Sequence, residues 1–411
     1  MDAQRIGRRI AYWRNRRRMT QQAFGALMGH SRRWVQDLEG GQRQSDPRLS
    51  VLEDAARVLE IPVERLLTDT PGKCIDAAEL RSIRAALHRH DVITGSCDAE
   101  SEPPPVEALR AQLVHSRNSF QAGHFAALGA TIPVLLVDAT RAAALHQGQD
   151  RLDAFTVLSL TLELTEAASI KYGDSDLACT AGHRAVAAAE RSGNPVIMAS
   201  AARHLADAMT HHGQAAAAVA FATAAATRLQ GELLRHGPDG LSVLGMLWLK
   251  AAMAQAAASE ADNRRAAERA RAVPGLLDQA DEQAQELGRD ANRVWTAFGP
   301  TNVQLYRVAA HIQLSEGADA VAVAQGIPAD ARAALPRERR AHLLTDLARA
   351  YTQTGDREKA VETLLEAETE VPEEVQCRPR TRRLVDDLRA LGAGSAEGRL
   401  RALADRCGLH R

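Results

Sequence analysis

Arg32, Arg33 and Gln36 are the side chains with the most specific chemistry in this chain. A guanidinium bonds bidentately to O6 and N7 of guanine, and a carboxamide does the same for adenine. Arg-Arg-x-x-Gln on one short helix is therefore a base-reading set, each good contact contributing roughly 1–3 kcal/mol of discrimination. Asp37 comes next on the same surface. Trp34 has two outlets: it stacks on a sugar or a thymine methyl, or it folds back onto Trp13. The flanking residues are those needed to hold such a helix. Thr20 is an N-cap for a first short helix with Phe24 and Met28 four apart on one face, and Gly29 stops it. Ser31 caps the second helix, which ends at Glu39 before Gly40 and Gly41. Two short helices joined through a glycine turn form a helix-turn-helix, whose second helix enters the DNA major groove.

Thr20-Gln21, Phe24, Met28, Gly29, Ser31, Val35, Leu38 and Glu39 resemble the lambda-repressor-like (XRE) helix-turn-helix family. The match runs on through Pro47, Leu49, Leu52, Ala56, Leu59, Ile61-Pro62 and Leu66-Leu67, so it covers residues 4 to 68. Gly25 stands where the family has Ala, and His30 where it prefers a small apolar residue. The resemblance implies a five-helix domain in which Arg14 pairs with Glu39. It also implies that Gln21, in the first turn of its helix, contacts a phosphate and braces the recognition helix. Helix N-termini suit phosphate because their free N–H groups and dipole point outward. Arg43, just past the recognition helix, is expected on phosphate. DNA-binding residues on this reading are Gln21, Ser31, Arg32, Arg33, Trp34, Gln36, Asp37 and Arg43.

Charge supports a polyanion partner for this segment. Residues 1 to 48 hold eleven arginines against four acids, a surplus of seven positive charges. The whole chain carries −1, so the remaining 363 residues carry −8. An Arg-rich solvated face would give the same surplus, but it coincides here with the helix-turn-helix pattern. Ile6, Ile10 and Trp13 fall at i, i+4 and i+7 and predict a first helix over 4–17, with the arginines largely on its other side.

The rest of the 411-residue chain gives helical signals. Apolar residues make up 45% of the chain but aromatics only 3%, so closely spaced Ala- and Leu-rich helices are favoured over thick β-sandwich cores. Residues 71 to 105 read as a linker with a short helix over Ala77 to Leu87. From 106 to 411, segments of about 15 to 20 residues alternate with breakers such as Gly173-Asp174, Gly193-Asn194-Pro195, Gly213, Gly299-Pro300 and Gly355-Asp356. Leu344, Leu347-Ala348, Tyr351, Ala360, Leu364 and Pro372 fall at the offsets of a tetratricopeptide repeat and resemble one closely. Weaker copies run through Leu205-Ala206, Met209, Gly213 and Ala218, and around Gly173 and Ala178. The expected fold class is all-α: an N-terminal helix-turn-helix domain over 1–70, then a tetratricopeptide-like (TPR-like) α-solenoid of six to eight helix pairs.

Two stretches break the repeat. Leu128 to Val137 is an apolar helix interrupted by Pro133. Phe298-Gly299-Pro300-Thr301-Asn302-Val303 resembles a stretch of actinobacterial regulators that join this helix-turn-helix to such repeats, and the whole chain resembles that group. The structural reading is a helix start with Pro300 near N1 and Thr301 or Asn302 as cap. The functional reading places Asn302, Tyr306 and Arg307 on a concave ligand-binding face, because a carboxamide both donates and accepts.

Catalytic patterns are absent from the sequence: no Walker loop, no dinucleotide fingerprint, no HExxH, no GxSxG. His88 and His90 alternate and so do not share a helix face, giving no metal expectation. His204 and His211 read as polar surface, and Glu163 with Glu166 as a solvated face. No enzyme, cofactor or metal is expected. No apolar run approaches the ~18 residues of a membrane span. Five cysteines without close spacing, and a polar N-terminus, suit a cytoplasmic protein. The resulting expectation is a transcriptional regulator that binds double-stranded operator DNA as a homodimer. Its repeat domain takes a peptide, a small-molecule effector or a protein partner. The alternative is a repeat scaffold that the helix-turn-helix only localises to nucleic acid.

Overall fold

The structure is a computed structural model. It describes residues 3–17, 19–40, 49–59, 63, 66, 77–90, 94, 102–261, 268 and 270–409. The chain divides into two compact units, Met1–Pro71 and Gly72–Arg411. Among the described residues every extended element is helical, and the only strand-like pairing is an isolated bridge between Ala291 and Phe298.

The first unit holds α1 (Ala3–Arg16), α2 (Gln21–Leu27), α3 (Arg32–Glu39) and α4 (Leu49–Val58). Both expected caps form: Thr20 Oγ1 accepts from the Ala23 amide at 3.1 Å and Ser31 Oγ from the Trp34 amide at 3.3 Å. Gly29 turns the chain at φ 72°. Ile6, Ile10, Phe24, Val35, Leu38 and Leu52 form the core. Of the expected fifth helix, only Val63 and the buried Leu66 are described. Two glycines let the helices touch. A Cβ on Gly7 would overlap the Leu38 carbonyl oxygen, so α1 lies directly on the end of α3. A Cβ on Gly25 would stand 2.8 Å from the His30 carbonyl, which explains Gly in place of Ala at that crossing.

The second unit is an α-solenoid. It begins with α5 (Ala77–Leu87), α6 (Val106–Gln121), α7 (Leu128–Leu145), α8 (Gly148–Tyr172), α9 (Ser175–Ser192), α10 (Pro195–His211) and α11 (Ala215–Arg235). It continues through α12 (Gly237–Ala261), α13 (Val273–Leu287), α14 (Pro300–Gln313), α15 (Gly317–Gln325) and α16 (Ala329–Ala334). It closes with α17 (Arg337–Gln353), α18 (Arg357–Glu370), α19 (Pro372–Gln376), α20 (Pro379–Leu391) and α21 (Glu397–Arg406). Consecutive helices pack on one another, and the predicted breakers sit at their ends. Gly173 and Gly193 are left-handed C-caps, and the Asp174 and Asn194 side chains cap α9 and α10 respectively. In the best repeat, Ala348, Ala360, Leu364 and Ala367 are fully buried between α17 and α18.

Two stretches are, by length and composition, long and apolar enough to cross a membrane: Leu128–Leu145, and Gly237–Ser259 in α12. This corrects the expectation that none is. The residues of the α12 stretch are 78% buried, because helices of a solenoid are covered by neighbours on both sides and need apolar residues nearly all round. Cys377 is disulfide-bonded, whereas Cys179 and Cys407 are free thiols.

Candidate functional site

In the first unit, α3 is held by an ion pair behind it. Arg14 Nε lies 2.6 Å from Glu39 Oε1, and Nη2 donates to Oε2 at 3.0 Å. Arg14 Nη1 also donates to the Met19 carbonyl at 2.7 Å. Gln21 Nε2 donates to Glu39 Oε2 at 2.9 Å, so it braces the end of α3. With its inner face fixed by Val35 and Leu38, α3 presents Ser31, Arg32, Arg33 and Gln36 to solvent. Asp37 is half-buried. Trp34 is half-buried against the core and stacks on His30, ring centroids 3.8 Å apart. His30 thus serves as a platform where the family has a small apolar residue. Arg43 lies outside the described residues.

The second unit holds a cavity of about 190 Å³, partly open to solvent. Its wall comes from α6, α8, α10, α12, α14 and α17, with Trp295 from the loop before α14 and Arg378 and Arg380 from the start of α20. These are the inner helices of successive pairs. The solenoid curls until its first and last inner helices meet. Lys171 Nζ on α8 donates to Glu338 Oε1 at 2.5 Å and to Glu374 Oε2 at 2.8 Å, and Arg378 completes the cluster on Glu374. Burial opposes ionisation of Glu338, but Lys171 overrides it and holds the carboxyl well below its usual range. Nearby the Ala126 amide donates to Glu373 Oε2 at 2.7 Å.

Asn302 and Tyr306 line this cavity, as predicted. Arg307 does not: one position further round α14, it faces Asp278 at 3.0 Å. Pro300 does start α14, but neither Thr301 nor Asn302 is its cap. Gly299 occupies that position, and Asp290 Oδ1 accepts from the Thr301 amide at 2.9 Å. Asn302 is fully buried, its Nδ2 toward Met246 Sδ at 3.5 Å and its Oδ1 without a partner. The preceding loop is backbone-strained, with Val294, Trp295 and Ala297 all near φ 50°. Phe298 anchors it in a slot over Gly245, where a Cβ would overlap the ring. Gln121 and Asn292 exchange amide hydrogen bonds at 3.0 and 2.8 Å. Together they hold Trp295 in the cavity wall, with the Arg117 guanidinium 5.5 Å from its ring.

Glu163, Glu166 and His204 are the largest departures from the sequence reading. Both glutamates are fully buried and His204 is 6% exposed, because α8 and α10 are inner helices. Glu163 Oε2 accepts from Arg117 Nη2 at 3.0 Å and Ser200 Oγ at 2.9 Å. Glu166 Oε2 lies 2.5 Å from His204 Nδ1. Burial raises Glu166 well above the usual carboxyl range and lowers His204 well below the usual imidazole range, with Arg203 and Arg117 adding to the latter. Both shifts disfavour the charged forms of the pair. Lys250 pairs with Asp207 at 2.8 Å. Burial raises the Asp207 carboxyl, yet Lys250 outweighs it and draws the value down to about 2. The sequence did hold one signal for these ions. Only four lysines occur in an arginine-dominated chain, and Lys171 and Lys250 both line the cavity.

No family model matches the chain, and no curated protein does. Among solved structures, the crystal structure of Bacillus thuringiensis PlcR in complex with the peptide PapR7 and DNA aligns with 69% of this chain and 99% of that one. The identity is 12% and the TM-score 0.27, too distant a likeness to bear on function.

Proposed function

We propose that this chain is a sequence-specific DNA-binding transcriptional regulator of the lambda-repressor-like helix-turn-helix kind. The observation that carries this is the pairing of a locked inner face with an open outer face on α3. Arg14 and Gln21 clamp Glu39 at its end, while Arg32, Arg33 and Gln36 stand exposed on the side away from the core. A scaffold has no need of a base-reading set there. The surplus of arginine in residues 1 to 48 supports the same reading through phosphate attraction.

The regulator works as a cytoplasmic homodimer without catalytic activity, reading two half-sites about one helical turn apart. Its solenoid is the sensor, and an effector in the cavity shifts the dimer between arrangements only by binding one of them better. The test is selection of bound sequences from a random duplex library, comparing wild type with the Arg32→Ala/Arg33→Ala variant. An enriched palindrome that the variant loses is the expected outcome. Binding that is salt-sensitive but sequence-independent in both proteins would favour the scaffold.

A further inference from the structure

The cavity is built around a charge imbalance. Among the described residues, seven lysine and arginine side chains line it against four acids, and burial pushes the carboxyl of one of those acids, Glu166, well above its usual range. Most of the cations have partners: Lys250 holds Asp207, and Lys171 and Arg378 share Glu374. Arg203 is different. It is 4% exposed and lines the cavity, and its Nε makes no hydrogen bond. Among the described residues no carboxylate ion-pairs with it. Burial lowers the Arg117 guanidinium, the nearby Arg203 charge lowers it further, and Glu163 is already held by Arg117. Two buried like charges with one carboxylate between them is a costly arrangement unless an anion completes it.

The rest of the wall limits what the anion is attached to. Trp295, Tyr306 and Phe120 supply flat apolar surface. A buried cavity of about 150 Å³ holds a benzene ring, so about 190 Å³ holds one ring with an acid group on it. Asn302 Oδ1 is a fully buried acceptor without a donor, on the same α14 face as Tyr306.

We propose that the cavity binds a small single-ring organic acid, its carboxylate on the Arg203 guanidinium and a hydroxyl or N–H of the ring on Asn302 Oδ1. This names the effector class for the sensor half of the regulator reading and rests on that reading only for its consequence at DNA. Strain in the Val294–Ala297 loop then has a purpose, since it sets the Trp295 ring beside the acid.

The test is calorimetric titration of the full chain, without DNA, with 4-hydroxyphenylacetate, its neutral amide 4-hydroxyphenylacetamide, phenylacetate and inorganic phosphate. Expected is saturable binding of 4-hydroxyphenylacetate, with the amide weaker by roughly ten- to a hundredfold, the loss of one hydrogen-bonded charge pair. Arg203→Met, which keeps the side-chain bulk, should lose the preference for the acid while folding with an undiminished melting temperature. Asn302→Leu should leave 4-hydroxyphenylacetate and phenylacetate binding alike. Absence of binding by the acid, equal binding of acid and amide, tighter binding of inorganic phosphate, or failure of Arg203→Met to fold would each overturn the proposal. Because no DNA is present, these outcomes are independent of whether the head selects an operator.

Discussion

Lys171 and Glu374 lie 203 residues apart in the chain, yet Nζ and Oε2 are 2.8 Å apart in a buried cluster that also holds Glu338 and Arg378. Replacing Lys171 by Met leaves Glu338 and Glu374 with less positive charge in a low-dielectric site. Breaking a buried pair from one side costs roughly 3–5 kcal/mol. The variant should lose about that much stability in urea unfolding of the second unit. Adding Glu338→Gln should return part of it, since the stranded carboxylate is then gone.

The same cluster predicts an acid limit. Glu338 and Glu374 are both held below the ordinary carboxyl value: burial opposes this, and Lys171 and Arg378 respectively are the leading cations that override it. A depressed folded value means the unfolded chain binds more protons. The stability they contribute is full above the unfolded value of about 4.3 and is lost as pH falls through the folded values. Urea midpoints of wild type should fall steeply below about pH 5, and much less steeply in Glu338→Gln/Glu374→Gln.

Glu166 has the opposite sign. Its folded value is raised by burial and then by Asp207. Here the folded state binds more protons, so the stability it contributes is present below about pH 4.3 and declines as pH rises through the raised folded value. Glu166→Gln keeps a hydrogen-bonding group beside His204 Nδ1 and removes the titration. The variant should gain on wild type as pH is raised from 5 to 8, read as the difference between their urea midpoints.

In the first unit, Gly7→Ala should be more damaging than its size suggests. The new methyl would overlap the Leu38 carbonyl and crowd that of Glu39, forcing α1 off the end of α3. Overpacking of this kind costs roughly 1–3 kcal/mol. The expected readout is a lower melting temperature for the head and weaker DNA binding, with the Arg32–Arg33–Gln36 preference retained in whatever binds.

The boundaries of the helices were legible because they are written in single residues. Gly173, Gly193 and Gly355 take left-handed φ at 78°, 68° and 83°, which a side chain disfavours, and Asp174, Asn194 and Asp356 cap α9, α10 and α18. The Arg14–Glu39 clamp was legible through family resemblance. The cavity was not. Helical spacing correctly placed Glu163 and Glu166 near one another, but spacing alone does not say which faces of α8 are covered, and in this helix nearly all are. Partners for its ions come from 37 to 203 residues away, as with Ser200 on Glu163 and Glu374 on Lys171. Arg307 was misassigned by one residue's rotation, about 100° on a helix, which was enough to turn it from the cavity to Asp278.

The tie between α8 and α17 also orders events during synthesis. A linear array of repeats can fold one repeat at a time as it leaves the ribosome, each new helix resting on the last. Here a nascent chain that has completed α8 carries Lys171 with its carboxylate partners still 167 and 203 residues from being made. Until then that face stays wet, and the early helices hold an open arc that only the last third of the chain can seal. Unlike an open array, the finished ring cannot part between α8 and α17 without giving up that central cluster of charges.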